Sequence, residues 1–68
     1  MKLINISSIQ WDEKRDDLPD GDIINYTHFG FDEKCIYPDY EIIDSIETYL
    51  FETYGPNPVS FDWDIDEV

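Results

Sequence analysis

Basic residues are scarce in this chain. Four Lys and Arg stand against 17 Asp and Glu, giving a formal net charge of -13. Charge of this sign argues against direct binding to nucleic acid or to an anionic lipid surface. It suits a basic partner surface, or it serves solubility alone. Cysteine is scarcer still. Cys35 is single, which excludes an internal disulfide, the usual staple of small secreted domains. Three scattered glycines cannot build a Walker loop or a dinucleotide fingerprint, and no nucleophile elbow is present. No apolar run approaches the roughly 18 residues of a membrane span. Met1 to Trp11 carries one Lys and no long apolar stretch, so no signal peptide is read. The expected location is the cytoplasm.

With 68 residues, one domain spanning 1–68 is expected. A chain of this size buries only about 60% of the surface its unfolded form exposes, so its stability is marginal. The charge imbalance leans toward disorder. The apolar content leans the other way: Ile, Leu, Val and Phe supply 19 of the 68 residues, above the roughly 20% below which highly charged chains stay unfolded. Two Trp and five Tyr add large faces to bury.

Lys2 to Asp12 reads as a strand. Ile4 and Ile6 alternate with polar neighbours, the phase slips across Ser7-Ser8, and it resumes at Ile9 and Trp11. Such a slip predicts a β-bulge, because otherwise Ile9 and Trp11 would face away from Ile4 and Ile6. Glu13 to Asp22, with Pro19 and Gly21, reads as a loop. Ile23 to Phe31 is rich in β-branched and aromatic residues and predicts a second strand. Its inward face is open: Ile23, Thr27, Phe29 and Phe31 compete with Ile24 and Tyr26. A short return strand over Cys35 to Tyr37 would make the sheet four-stranded. From Asp39 to Tyr54 the apolar residues Ile42, Ile43, Ile46, Tyr49, Leu50 and Tyr54 fall at helical steps. Asp39 and Glu41 lie in the first turn, where the helix dipole favours negative charge. Gly55-Pro56 stops the helix. Val59, Phe61, Trp63 and Ile65 then alternate with Ser60, Asp62, Asp64 and Asp66, a strand with one buried and one wet face.

The order β-β-α-β predicts a small two-layer α+β domain, a three- or four-stranded and mainly antiparallel sheet covered by one helix. A right-handed crossover from the second strand to the last, passing over the first, gives the spatial order 2-1-3. Val59, Phe61, Trp63 and Ile65 are expected to pack against Ile42 or Ile43, Ile46 and Leu50.

Four kinds of chemistry are worth weighing. His28 and Cys35 are the only imidazole and thiol, and a small hydrolase would have to use them. No motif surrounds them, and an orienting group and an oxyanion hole are also required. Asp62, Asp64 and Asp66 resemble the start of a calcium loop, but Glu67 stands where the loop needs glycine and no twelfth-position Glu follows. On a strand these carboxylates form a row rather than converge on an ion, so no metal and no cofactor is expected. Paired carboxylates for acid–base work need a pocket that raises a pKa, and so small a domain has little room for one. The chain is therefore read as non-enzymatic.

The fourth feature is the acidic surface itself. Asp39, Glu41, Asp44, Glu47 and Glu52 lie on the predicted helix with no Lys or Arg among them, so stabilising i,i+4 pairs are missing. Asp62, Asp64 and Asp66 repeat at roughly 6.6–6.8 Å along one strand face, like the regular phosphates of a nucleic-acid strand. Charge so arranged costs folding energy. Asp44, Glu47, Glu52, Asp62, Asp64 and Asp66 are thus the candidate partner-binding residues, and the expected partner is a basic protein, one that itself binds nucleic acid. The competing reading is a small soluble domain whose charge only solubilises and whose aromatic patch pairs two copies.

The runs Ile6-Ser7-Ser8-Ile9-Gln10-Trp11-Asp12, Asp17-Leu18-Pro19 and Tyr49-Leu50-Phe51-Glu52-Thr53-Tyr54-Gly55 resemble a loose family of small acidic proteins of unknown function, common in bacterial genomes and in phages and other mobile elements. The likeness covers most of the chain through short structural motifs and departs from them between Gly21 and Tyr37. It carries over no catalytic residue. It implies a bacterial or phage setting, where small acidic proteins act as DNA mimics against defence nucleases or repressors.

Overall fold

Strand β1, Lys2–Trp11, is the centre of the sheet. A computed structural model describes all 68 residues. Ile4 and Ile6 of β1 point to one face and are buried. At Ser7-Ser8 the alternation breaks as the sequence predicts. Ser8 takes φ 53, in the left-handed region, and the register to β3 jumps between Ser7↔Asp62 and Gln10↔Ser60. One extra β1 residue is absorbed there, which returns Ile9 to the core.

Strand β2, Asp22–Asn25, pairs antiparallel with one side of β1. Strand β3, Pro58–Glu67, pairs antiparallel with the other. The spatial order is β2-β1-β3. Helix α1, Asp39–Tyr54, lies between β2 and β3 in the chain and buries Ile42, Ile46 and Leu50 against Ile4, Ile6, Ile9 and Ile24. The protein is a small α+β domain: a three-stranded antiparallel sheet with one helix on one face. No helix is long and apolar enough to cross a membrane.

Gly21 sets the return of the chain beside β1. A Cβ there would lie 2.5 Å from the Ile6 carbonyl oxygen, so only a bare backbone fits. Next to it the Ile9 N–H donates to the Asp20 carbonyl at 2.9 Å.

The second strand is shorter than the expected Ile23–Phe31, for a local reason. Asn25 turns its side-chain oxygen onto the Thr27 N–H at 3.2 Å and accepts from the Thr27 hydroxyl at 2.9 Å. That competes with ladder bonding and diverts the chain into a 3-10 turn over Tyr26–Phe29, closed by Gly30 at φ 84. The question of face is settled as well: Ile24 and Tyr26 are buried and Ile23 is exposed. Cys35–Tyr37 is not a strand. Asp32 holds a turn there, its carboxylate accepting from the Lys34 N–H and its carbonyl from the Cys35 N–H. Tyr37 instead stacks on Phe31 at 4.5 Å, and Phe31 on Tyr26 at 5.0 Å.

The helix keeps its expected bounds. Gly55 closes it at φ 104 and donates its N–H to the Phe51 carbonyl. The predicted packing of β3 holds for Phe61, Trp63 and Ile65, which are half-buried against the core. It fails at Val59, which is 68% exposed. A second register shift explains this: between Gln10↔Ser60 and Trp11↔Pro58 the extra residue lies on β3, so Val59 has no partner and is pushed outward.

Candidate functional site

Register places the acidic strand row. Asp62, Asp64 and Asp66 stand opposite Ser7, Asn5 and Leu3 of β1, and beyond these lie Ile23 and Asn25 of β2. This is the sheet face away from the helix, because Ile4, Ile6, Trp63 and Ile65 occupy the other phase. All three aspartates are exposed. No strand residue on this face is Lys or Arg. Lys2 belongs to the opposite phase, with its ammonium 5.4 Å from the Tyr26 ring centre. The local partners of the row are neutral: Asn5 Nδ2 donates to Asp66, and Asp64 Oδ1 accepts the Ile65 N–H at 2.9 Å.

Asp44, Glu47 and Glu52 are exposed on α1, in the other layer. They do not form one cluster. Asp44 and Glu52 border a shallow cleft with His28, Phe29, Thr48 and Tyr49. Glu47 borders a separate groove with Ile43, Val59, Phe61 and Trp63, where α1 meets β3. The six candidate residues therefore fall on two sides of the domain, and a rigid partner can engage the strand row or the helix set.

The ion pairs stress the same imbalance. Arg15 makes both, to Asp17 at 3.0 Å and to Glu13 at 3.9 Å. It grips Asp17 through two nitrogens, which raises the guanidinium pKa and lowers that of the Asp17 carboxyl. Every other side-chain carboxylate lacks a cation within 4.0 Å.

The remaining candidates are separated. His28 is exposed and meets Tyr49 and Phe29 edge-on, each at 5.6 Å. Cys35 is free and exposed, and it is not among the residues of the cleft beside His28. No three His, Cys, Asp or Glu side chains gather at metal-holding distance, and Asp62, Asp64 and Asp66 run along the strand as a row.

One polar centre escaped the sequence reading. Asp22 at the start of β2 accepts from the Tyr54 hydroxyl at 2.9 Å and from the Tyr49 hydroxyl at 3.2 Å through one oxygen. Its other oxygen takes the Ile23 N–H at 2.8 Å. Burial, then the neighbouring Asp22, pushes Tyr54 up to about 12 and raises Tyr49 as well. Trp11 closes the site, edge-on to Tyr54 at 5.6 Å and bonded through its indole N–H to the Pro19 carbonyl. The available signal was strand phase: Asp22 is two residues before Ile24 and so shares its inward face. With both phenols held protonated at neutral pH, the cluster is suited to fastening β2 to α1. Comparison with known proteins gives no significant match to any family model, curated protein or solved structure.

Proposed function

We propose that the protein is a non-enzymatic interaction protein of the cytoplasm whose acidic surface binds a basic protein, one that otherwise holds nucleic acid. The observation that carries this reading is the Asp62, Asp64 and Asp66 row: exposed, regularly spaced, and on a sheet face whose strands bear no Lys or Arg. Such a row keeps a field that a basic surface recovers on contact. Its extended spacing resembles a strand of phosphates, and a DNA-mimic role against a nuclease or repressor fits the mobile-element resemblance of the sequence. The step from field to target is chemical analogy.

The test is charge reversal in two sets. Asp62, Asp64 and Asp66 are changed to Lys in one variant, and Asp44, Glu47 and Glu52 in another. The strand variant is expected to lose capture of basic host proteins, the helix variant to keep it, and duplex DNA to compete with the wild type. Capture should also fall steeply with salt, as long-range attraction requires. Two folded variants that both capture like wild type would overturn the reading. A second reading, charge that only solubilises with an aromatic patch pairing two copies, is favoured by exposed Tyr40 and by Ile36, 97% exposed and four positions before it in the chain. Sedimentation of a dimer that Ile36→Ser dissociates would support it.

A further inference from the structure

Strand β3 is the last strand of the sheet on its side, ten residues long, and no neighbour occupies its outer edge. In an antiparallel strand the N–H and C=O of one residue point to one neighbour and those of the next residue to the other side. The Ile65 N–H bonds to the Asp64 side chain, and it points away from β1. By alternation the backbone groups of Trp63 and Phe61 point the same way. Beside this edge the helix leaves a groove between Ile43, Glu47, Val59, Phe61 and Trp63. Phe61 and Trp63 stay only half-buried although they face the core layer.

The two edges of the sheet are not equivalent. The β2 edge has four residues before the chain turns away. Its Asp22 guards the Ile23 N–H and is itself fixed by Tyr49 and Tyr54. The β3 edge is long, and Asp64 has no such fastening. An open edge of this length is a template for another strand.

Charge selects the occupant. A second copy pairing through β3 would set two rows of aspartate against each other on one face, and like charges directly opposite are destabilising. A strand with Lys or Arg at alternate positions meets the row with opposite charge. Its intervening residues, if apolar, fall over Phe61, Trp63 and the groove. We propose that the β3 edge receives an extended segment of a partner protein, alternating basic and apolar residues, as a fourth strand. The inference rests on the acidic-surface reading and adds to it the form of the bound segment.

The probe is a capped peptide of alternating Lys and Val, with two N-methylated forms, one blocked at every Val nitrogen and one at every Lys nitrogen. In an added antiparallel strand the residues opposite Phe61, Trp63 and Ile65 are the valines, and their N–H groups point into the sheet. In a parallel one the bonding groups belong to the lysines. The parent peptide is expected to bind at low salt and to slow hydrogen exchange at Phe61, Trp63 and Ile65. One methylated form should bind at least about tenfold more weakly, because it loses its backbone bonds to the edge, and the other should match the parent. Changing Asp62, Asp64 and Asp66 to Asn should weaken the parent peptide without unfolding the protein. Equal binding of all three peptides, with no protection on β3, would overturn the edge proposal and leave the charge reading standing. A free protein that sediments as a dimer with those amides already protected would also overturn it, by giving the edge to a second copy. Absence of binding by the parent peptide, with capture of basic proteins intact, would overturn it too.

Discussion

Tyr54 donates a 2.9 Å hydrogen bond to Asp22, tying the last turn of α1 to the first residue of β2. The two residues are 32 positions apart in the chain, and Tyr49 adds a second phenol to the same oxygen. The bonds require the phenols to be protonated. Tyr54 is held up to about 12, chiefly by burial, against an ordinary value near 10. Because the folded pKa is the higher one, the folded state binds this proton more tightly. Its contribution is complete below about pH 10 and is lost as the pH rises toward about 12. Chemical unfolding should therefore show stability falling across that window. In Tyr54→Phe the fall should shrink, and at neutral pH the variant should lose about 1–2 kcal/mol, the range for a bond to a charged group that water partly replaces. An unchanged alkaline profile in the variant would remove this role.

Gly21 gives a sharper steric test. Its missing Cβ would stand 2.5 Å from the Ile6 carbonyl oxygen, and that oxygen belongs to the central strand. Neither backbone can yield without disturbing the β1–β2 ladder. Gly21→Ala is expected to cost about 1–3 kcal/mol, as overpacking does. Gly30→Ala meets open space but keeps φ 84, so it should cost about 1 kcal/mol through backbone strain alone. Denaturant midpoints of the two variants at equal slope would rank them. The reverse order would mean that the chain at Gly21 relaxes easily.

Core substitutions should follow the observed burial and not the simple alternation. Leu50 and Ile46 are fully buried, and cutting either to Ala should cost about 2–5 kcal/mol, a large part of the stability of so small a domain. Phe61 is half-buried, so Phe61→Ala should cost less than Leu50→Ala. Val59→Ala should change little, within about 0.5 kcal/mol. Thermal melts of the four variants would test this order.

Much of the architecture was legible because short-range signals agreed. The helical spacing of Ile42, Ile46 and Leu50, the stop at Gly55 and the slip at Ser7-Ser8 each coincide with an observed feature. The misreadings arose where a side chain competed with the backbone or where a partner strand set the register. Asn25 cut β2 short through its own amide oxygen, although Ile23 to Phe31 has strand composition. Val59 has the right phase within β3, but the second shift against β1 overrules it. For the acids, the expected packing of Phe61, Trp63 and Ile65 on the helix already turned the strand row to the open face, but that Asp44 and Glu52 border one cleft and Glu47 another is a tertiary fact. Asp22 looked like one more solvated acid of a loop end. Only pairing with Ile6 brings it beneath Tyr49 and Tyr54.

The carboxylates without cations bear on stability as well as on binding. Arg15 makes both ion pairs, so the field of the other acids is opposed mainly by dissolved ions. Added monovalent salt should raise the melting temperature, because screening weakens repulsion between exposed charges. The strand row contributes to this, since Asp62, Asp64 and Asp66 face neutral Ser7, Asn5 and Leu3. Changing all three to Asn removes three negative charges and leaves an amide oxygen at 64 to accept the Ile65 N–H. At low salt the triple variant should be more stable by about 1 kcal/mol, from a few tenths for each exposed like-charge contact removed. In a domain of this size that corresponds to roughly 4–8 °C in Tm. The gap should narrow as salt is added, because screening and substitution relieve the same repulsion. Melting curves of both proteins across a salt series would test this. A wild-type Tm that falls with salt would show that specific charge contacts outweigh net repulsion. A gap that persists at high salt would trace the gain to strand propensity or packing at these positions instead of charge.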